Sequence, residues 1–230
     1  MSFIILNNKK FSYTVVKKHI SSLRLRLKSS NSFTISCPYL TPQFVITQFI
    51  KKNANWIISS SQKIIPKKSV KHLKNLFILG QNYQLFFIDT ARDSIVIYPE
   101  DRKIYANISK STTPHINKIL EKKLRPFAIS LIKKELTLLK KEFNFNYNNV
   151  TVRNQSSRFG SCSSRGNLNF NWQIIFFPEE QFRHILLHEL THLKIKNHSK
   201  KFWDQLTSYD PNCKKNNLWL KKEGTKLFLF

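Results

Sequence analysis

The sequence predicts an α+β fold, because strand-like alternation dominates its first half and apolar residues recur at helical spacing through much of its second half. Residues 1–110 consist mostly of short segments rich in β-branched and aromatic residues, which predicts a mostly antiparallel β unit carrying one helix. Residues 111–230 contain a long amphipathic segment, a β-hairpin and a histidine-bearing helix. We therefore expect two units with a boundary at 109–114, or one continuous domain.

Alternating apolar and polar residues indicate the first strands. Residues 3–37 alternate in part, and 23–27 alternate strictly with arginine, as in a strand with one solvated, basic face. Thr41 as the N-cap and Pro42 at the first helical position then predict a helix over 43–60.

A connector and further strands are predicted for the rest of this half. The stretch 64–76 is basic, irregular and contains proline, so we interpret it as the connector. A hairpin is predicted over 77–88 with its turn near 80–82, and two more strands are predicted over 94–98 and 103–106.

The second half is predicted to begin with a helix over 113–143 that Pro126 kinks or divides. A strand over 150–153 precedes a hairpin whose strands, 158–162 and 167–175, are joined by a glycine-containing turn. One face of the last strand either binds substrate or is simply solvated, and it carries Asn167, Asn169 and Asn171.

Residues 188–192 read His-Glu-Leu-Thr-His, and the spacing of this H-E-x-x-H pattern has a mechanical meaning on a helix. Residues four apart lie on neighbouring turns of one face, so His188 and His192 can aim two imidazole nitrogens at one ion. Glu189 borders that face and can act as a general base on a water molecule at the ion. His198 offers the third ligand that a catalytic zinc ion needs, which leaves the fourth position open.

The surroundings of this motif favour a metal site over two surface histidines. Four of the 7 histidines fall within residues 184–198. Residues 178–180, Pro-Glu-Glu, suit a helix start, and apolar residues recur at helical spacing beside the histidines. His184 lies one turn before His188, and we interpret it as a supporting or surface residue, not as a fourth ligand.

Lysine and arginine outnumber acidic residues by 39 to 13, which gives a formal net charge of +26. Such a charge is typical of proteins that bind nucleic acid or an anionic surface. Compositional bias explains it better, because the lysines are spread along the whole chain and glycine is scarce. We expect weak nucleic-acid association as a side effect, and a basic nucleic-acid-binding protein with a non-catalytic metal site is the alternative function.

The cysteines and the apolar segments bear on the compartment. Cys37, Cys162 and Cys213 are odd in number and form no C-x-x-C pair, as expected in a reducing compartment. The N-terminus lacks the apolar length of a signal peptide, and no apolar run reaches the ~18 residues of a membrane span. We therefore expect a cytoplasmic protein without a membrane partner, and the sequence leaves its oligomeric state open.

Four sequence blocks carry a further signal: Arg153-x-x-x-Ser157-Arg158-Phe159-Gly160-Ser161-Cys162-Ser163, Leu168-x-Phe170-Asn171, His188-Glu189-Leu190-Thr191-His192 and Asn197-His198-Ser199-x-x-Phe202-Trp203. In order and spacing they resemble the YgjP-like family of predicted zinc-dependent metallopeptidases, whose active-site helix is similar to that of SprT-like and other zincin peptidases. The resemblance implies a minimal zincin-like C-terminal unit, a Zn²⁺ cofactor and a peptide or protein substrate. A peptidase acting on DNA-associated proteins is a combined alternative.

Two departures from known patterns matter. Residues 157–162 read Ser-Arg-Phe-Gly-Ser-Cys where the family usually has Thr-Arg-Trp-Gly-Ser-Cys, a change that removes no ligand. The spacing from His192 to His198 equals that of metzincins, but Ile195 replaces their glycine and no methionine follows, so we reject that class. We expect the helix to end near Asn197, which would turn the chain in a left-handed conformation.

The mechanistic hypothesis is that Glu189 accepts a proton from water as it attacks a carbonyl polarised by zinc. Arg158 is a candidate donor to the oxyanion, with a structural role in the hairpin as the alternative. The strand over 167–175 is expected to pair with an extended substrate.

Four further residues are assigned supporting roles. Glu180 and Asp204 are candidates for contacts to the histidines, with solvent exposure as the alternative. Phe202 and Trp203 are expected to cover the site by packing.

Overall fold

The computed structural model describes residues 2–62, 73–109, 116–155 and 158–227. The chain divides into two compact units, Met1–Pro66 and Lys67–Phe230. Both units combine helices with sheets, which confirms the predicted α+β class. The predicted boundary at 109–114 lies almost entirely outside the described residues, and a division at that point stays a prediction.

The smaller unit contains one four-stranded sheet. Its strands are β1 (Ser2–Leu6), β2 (Lys9–Lys17), β3 (Arg24–Ser29) and β4 (Ser32–Cys37), in the order β1-β2-β4-β3. Two strand pairs are antiparallel and the β2–β4 pair is parallel, so the mostly antiparallel prediction is confirmed. Strand β3 lies at an edge with Arg24 and Arg26 exposed, as predicted for a solvated basic face.

Two helices follow where one was predicted: α1 (Gln43–Lys52) and α2 (Ala54–Gln62). Asn53 separates them, and its side-chain amide donates to the Phe49 carbonyl oxygen at 2.8 Å, which offers the backbone an alternative to continuing the helix. Pro42 occupies the cap position in an extended conformation without a side-chain cap, so the predicted N-cap role of Thr41 is wrong.

The larger unit begins with a second four-stranded sheet. Its strands are β5 (Asn75–Ile78), β6 (Gln81–Asp89), β7 (Ser94–Tyr98) and β8 (Lys103–Ile108), in the order β5-β6-β8-β7. The predicted hairpin turns at Leu79 and Gly80, whose φ values of 50° and 77° are those of a tight two-residue turn. The predicted connector over 64–76 lies mostly outside the described residues, and β5 includes its last two positions.

Helix α3 (Ile116–Phe143) is continuous, so Pro126 does not divide it. Proline inside a helix removes a hydrogen bond and crowds the preceding turn. The same face is nevertheless buried on both sides of Pro126, with Leu124 and Ala128 fully buried. Burial of that shared face outweighs the local cost of the proline. The predicted helix start at Thr113 and Pro114 lies outside the described residues.

A three-stranded sheet follows α3. Its strands are β9 (Val150–Arg153), β10 (Gly160–Cys162) and β11 (Leu168–Asn171), in the order β10-β11-β9. Strands β10 and β11 form the predicted hairpin, and Gly166 adopts φ 73° in its turn. The last strand ends earlier than predicted, because Trp172–Phe176 forms a 3₁₀ helix that Asn171 caps by accepting from the Gln173 N–H at 3.2 Å.

Three helices complete the chain: α4 (Glu179–Thr191), α5 (Lys200–Tyr209) and α6 (Cys213–Glu223). Helix α4 ends earlier than predicted, with His192 as its C-cap. The backbone N–H of Lys194 then bonds to the carbonyl of Thr191 at 3.0 Å, a tightening common at helix ends. The predicted left-handed conformation of Asn197 is wrong, because its φ is not positive.

Helix α4 lies in the core of the larger unit. Phe182, Leu186 and Leu190 on its inner face are almost fully buried. On its outer side, Arg183 forms ion pairs with Glu135, at 2.7 Å, and with Glu142, both on α3. Among the described residues, no helix combines the length and apolar character that crossing a membrane requires.

Two leucines on α3 test the contribution of this core. Leu136 is fully buried, whereas Leu138 is 48% exposed. We expect Leu136→Ala to lower the free energy of unfolding by about 2–5 kcal/mol, because it removes apolar contacts and leaves a cavity. Leu138→Ala should change it by less than about 0.5 kcal/mol. Urea unfolding followed by circular dichroism measures both, and equal losses would contradict this packing.

Candidate metal centre

Helix α4 places His188 and His192 on successive turns, and the loop after it brings His198 back to them. The Nε2 atoms of His188 and His198 lie 2.9 Å apart. One ring nitrogen from each of the three histidines lies within 4.8 Å of the other two. Within the described part of the chain, this is the only group of three or more side chains positioned to share a metal ion.

The chemistry of these donors fits a metal ion. Two imidazole nitrogens that face each other at 2.9 Å repel unless a proton or a cation lies between them. Burial, followed by the charges of the neighbouring histidines, lowers the pKa of His188 to about 3, so its ring is neutral, as a ligand must be. The Nδ1 atom of His192 lies 3.0 Å from the carbonyl oxygen of Ile195, which leaves Nε2 free for coordination.

Phe202 on α5 forms the floor of this histidine cluster. Its ring centroid lies 5.0, 4.6 and 4.8 Å from those of His188, His192 and His198, and its side chain is fully buried. Trp203 stacks on the outer side of His198 at 5.7 Å. The prediction that these two aromatic residues cover the site by packing is confirmed.

Glu189 lies beside the cluster and is 7% exposed. Burial raises the pKa of its carboxyl group to about 8, and the positive charge of Arg158 acts in the opposite direction. A carboxyl group whose pKa is close to neutrality can both accept and return a proton at physiological pH. Glu189 therefore has the environment of an acid–base group and not that of a solvated carboxylate.

Gly160 on β10 makes room for Glu189. A Cβ atom at position 160 would lie 2.7 Å from Cγ and 2.9 Å from Oε1 of Glu189. Any larger residue at position 160 would therefore have to displace that carboxyl group or shift the strand. Sequence reasoning noticed Gly160 only as part of a motif, because no local pattern reveals which side chain a glycine faces.

A cleft of about 330 Å³ holds the histidine cluster, and we call it the metal cleft. Its wall opposite α4 is strand β10, with Gly160, Ser161 and Cys162. Burial raises the pKa of the Cys162 thiol, which keeps it protonated. Cys162 is not part of the group of potential metal ligands.

The sequence of this chain matches a known protein family. The YgjP-like metallopeptidase domain matches residues 21–223, which is most of the chain. The chain belongs to the YgjP-like family. It is a metal-dependent peptidase that acts on peptide or protein substrates, and the family implies a catalytic metal.

Two solved structures resemble part of this YgjP-like chain. The metallopeptidase zymogen jannalysin of Methanocaldococcus jannaschii shares 29% sequence identity, over 40% of this chain and 95% of its own, with a TM-score of 0.36. The metallopeptidase zymogen abylysin of Pyrococcus abyssi shares 23% identity, over 40% of this chain and 93% of its own, with a TM-score of 0.36. No curated protein matches the sequence.

The sheet beside the metal cleft corrects one prediction about substrate binding. Strand β11 lies between β10 and β9, so it has no free edge and the prediction that it pairs with substrate is wrong. Its asparagines serve the protein itself: Asn169 accepts from the Thr151 hydroxyl at 2.9 Å, and Asn171 donates to the carbonyl oxygen of Gln155 at 2.6 Å. Strand β10 is one of the two edge strands of this sheet, and its residues line the cleft.

His184 belongs to a buried polar network behind the cluster. Its Nδ1 atom lies 2.6 Å from Oδ2 of Asp210, and its side chain is 1% exposed. The Asn216 amide donates to the same oxygen at 3.1 Å, and Gln181 donates to Asn216 at 2.7 Å. This network connects α4 to the segment between α5 and α6. Of the two roles predicted for His184, a supporting residue or a surface residue, the structure therefore shows the first.

The acidic residue in this network is Asp210, and not Glu180 or Asp204 as the sequence predicted. Glu180 is exposed and lies 3.6 Å from Lys215, and Asp204 is exposed. Neither makes a hydrogen bond to a histidine among the described residues, so the exposed alternative holds for both. Asp210 was missed because it lies in a connection whose course depends on how α5 and α6 pack.

Asp210→Asn tests the network through the pH dependence of stability. Burial acts to raise the pKa of Asp210, but hydrogen bonds from His184 and Asn216 outweigh burial and lower it below its ordinary value. The carboxylate therefore stabilises the fold above the unfolded-state pKa of about 3.9, and this stabilisation is lost as the pH falls through the folded-state pKa. We expect Asp210→Asn to cost about 1–3 kcal/mol at pH 7 and progressively less in acid. Urea unfolding of the wild type and the variant, at pH 7 and in acid, measures this difference in the free energy of unfolding. A difference that does not change with pH would contradict the prediction.

Gly160→Ala tests the fit between β10 and Glu189. The new methyl group should displace the flexible carboxyl end of Glu189, so peptide hydrolysis should fall by about 10- to 100-fold. Metal content should not change, because the atoms nearest the new methyl group belong to Glu189 and not to a histidine. Ser164→Ala, an exposed position in the same hairpin, is the control. Unchanged hydrolysis by Gly160→Ala, measured together with metal content, would show that Glu189 does not need this space.

Proposed function

We propose that this chain is a zinc-dependent peptidase in which His188, His192 and His198 hold Zn²⁺ and Glu189 is the general base. The observation that carries the proposal is the cluster of three imidazole nitrogens within 4.8 Å of one another, beside a buried carboxyl group. Helix spacing explains the first two histidines. The third comes from the loop before α5, where Phe202 supports its ring.

The donor set favours zinc used for catalysis. Neutral imidazole ligands suit Zn²⁺, and catalytic zinc sites have three protein ligands where structural sites have four. No fourth ligand joins the cluster among the described residues. When bound, Zn²⁺ supplies a Lewis acid that polarises the substrate carbonyl and lowers the pKa of water towards neutrality.

Glu189 performs the proton transfers in this proposal. One carboxylate oxygen of Glu189 accepts the proton of the attacking water, and the same group then gives it to the amine nitrogen of the leaving peptide. Burial raises the pKa of Glu189 to about 8, and the positive charge of a bound Zn²⁺ would lower it towards neutrality, where the carboxylate can accept the proton and return it. Gly160, which has no side chain, leaves the space that the carboxyl group occupies.

Two further elements would act on the substrate. Strand β10 lies at an edge of its sheet and lines the metal cleft, so an extended peptide can add to it as a strand. Arg158 is exposed and lines the cleft beside Glu189, where its guanidinium group would stabilise the developing oxyanion. A cytoplasmic location and weak nucleic-acid association stay predictions.

Metal analysis and one substitution test the proposed function. We expect about one zinc ion per chain, lost in a His188→Ala/His192→Ala double variant. Glu189→Gln should keep the zinc and lower kcat by at least about 100-fold, because the amide cannot accept the proton. Mass spectrometry of a digested peptide library, with elemental analysis of the same samples, measures both quantities.

The rival function gives the opposite pattern. A basic nucleic-acid-binding protein would show salt-dependent DNA binding that Glu189→Gln leaves unchanged, and it would hydrolyse no peptide. Absence of zinc from the wild-type protein, or full hydrolysis by the Glu189→Gln variant, would overturn the proposed site.

A further inference from the structure

A second cavity opens beside the metal cleft, and we call it the side cavity. It has a volume of about 370 Å³ and lies between residues 158–160, helix α4 and helix α6. Both cavities share four lining residues: Arg158, Gly160, His188 and Glu189. A substrate whose scissile bond lies at Glu189 can therefore place a neighbouring group in the side cavity.

The floor of the side cavity is apolar. Ile185 on α4 and Leu220 on α6 are buried, and Phe159 is half-buried. This surface suits the aliphatic stem of a side chain more than a short polar group. The volume is also large enough for one amino-acid side chain, since specificity pockets of several hundred Å³ hold small ligands.

The charged residues of the side cavity are mostly positive. Arg158 and Lys221 both line it and are exposed. Glu189 is the only carboxyl group among the described lining residues, and Arg158 already acts on its charge. Lys221 has no acidic partner within the described part of the chain, where the neighbouring Glu223 pairs with Lys226. Its ammonium group is therefore available to a ligand.

We propose that the side cavity is a specificity pocket for a carboxylate next to the scissile bond, with Lys221 as the residue that selects it. The carboxylate belongs either to a glutamate side chain or to the free C-terminus of the peptide. The apolar floor holds the stem, and the ammonium group of Lys221 pairs with the carboxylate at the rim. This inference rests on the proposed peptidase function, because it assigns a role to one side of the same site.

The general positive charge of the chain is a competing explanation, and a matched pair of variants separates the two. Lys221 and Lys222 are adjacent and exposed on α6, but only Lys221 lines the side cavity. Lys221→Glu and Lys222→Glu change the net charge by the same amount. If the overall charge of the protein caused the preference for a carboxylate, both variants would change it equally. If the side cavity causes it, only Lys221→Glu should change it.

The test starts from a peptide that the protein cleaves, with the residue on each side of the cleaved bond replaced in turn by Glu, Gln or Lys. We expect the Glu peptide to exceed the Gln peptide in kcat/KM by about 3- to 10-fold on one side of the bond. Lys221→Glu should reduce this ratio to one or below and favour the Lys peptide. Lys222→Glu should keep it. Peptides ending in a free carboxylate or an amide, with cleavage one residue from the end, form the second arm.

Binding gives a readout that does not depend on catalysis. Fluorescence anisotropy with labelled Glu and Gln peptides on the Glu189→Gln protein should show the same preference, and Lys221→Glu should remove it. Equal ratios in wild type and Lys221→Glu, or equal changes in the two lysine variants, would overturn the pocket. If Glu189→Gln still cleaves peptides, the proposed mechanism fails, and the binding arm still decides the pocket.

Discussion

The metal centre depends on the burial of helix α4. One face of this helix is held in the core by apolar residues such as Phe182 and Leu186, which are almost fully buried. The opposite side presents His188 and His192 to the cleft, where Phe202 limits the rotation of their rings. A histidine on a mobile surface helix would lose side-chain entropy on binding a metal ion. Packing removes that freedom beforehand.

Burial also sets the charge states at the site. A solvated histidine has a pKa of about 6.5, so at pH 7 both of its protonation states are populated. Burial and the neighbouring rings hold the pKa of His188 near 3, while burial holds the pKa of Glu189 near 8. The same low-polarity environment thus favours the neutral form of both groups: an imidazole that could coordinate a cation, and a carboxyl group that could exchange protons.

In the proposed function, the two cavities around Glu189 divide the tasks of a peptidase. The metal cleft contains the histidine cluster and the edge of β10, where backbone groups can bind an extended peptide of any sequence. The side cavity presents side chains instead, and side chains can discriminate between substrates. As proposed, backbone recognition of the peptide and selection of a residue would therefore occupy separate walls of one site.

The sequence by itself determined the strands, the hairpin before the active-site helix, and the residues of the metal motif. These features follow from short-range rules, because strand alternation and the spacing of His188 and His192 depend only on local geometry. The end of α4, the continuity of α3 through Pro126 and the break at Asn53 were not predicted. Each depends on which face of a helix is buried, or on a side chain that competes with the backbone.

Only the tertiary structure decided the contacts between distant segments. Gly160 lies against Glu189, which is 29 positions away, and Asp210 bonds to His184, which is 26 positions away. Lys221 lines the side cavity together with Glu189, more than 30 positions away. No periodic pattern encodes such pairs, because they form when hairpin, helices and connections pack around one core. The sequence therefore indicates the candidate metal ligands and the candidate base, and the packing selects the groups that surround them.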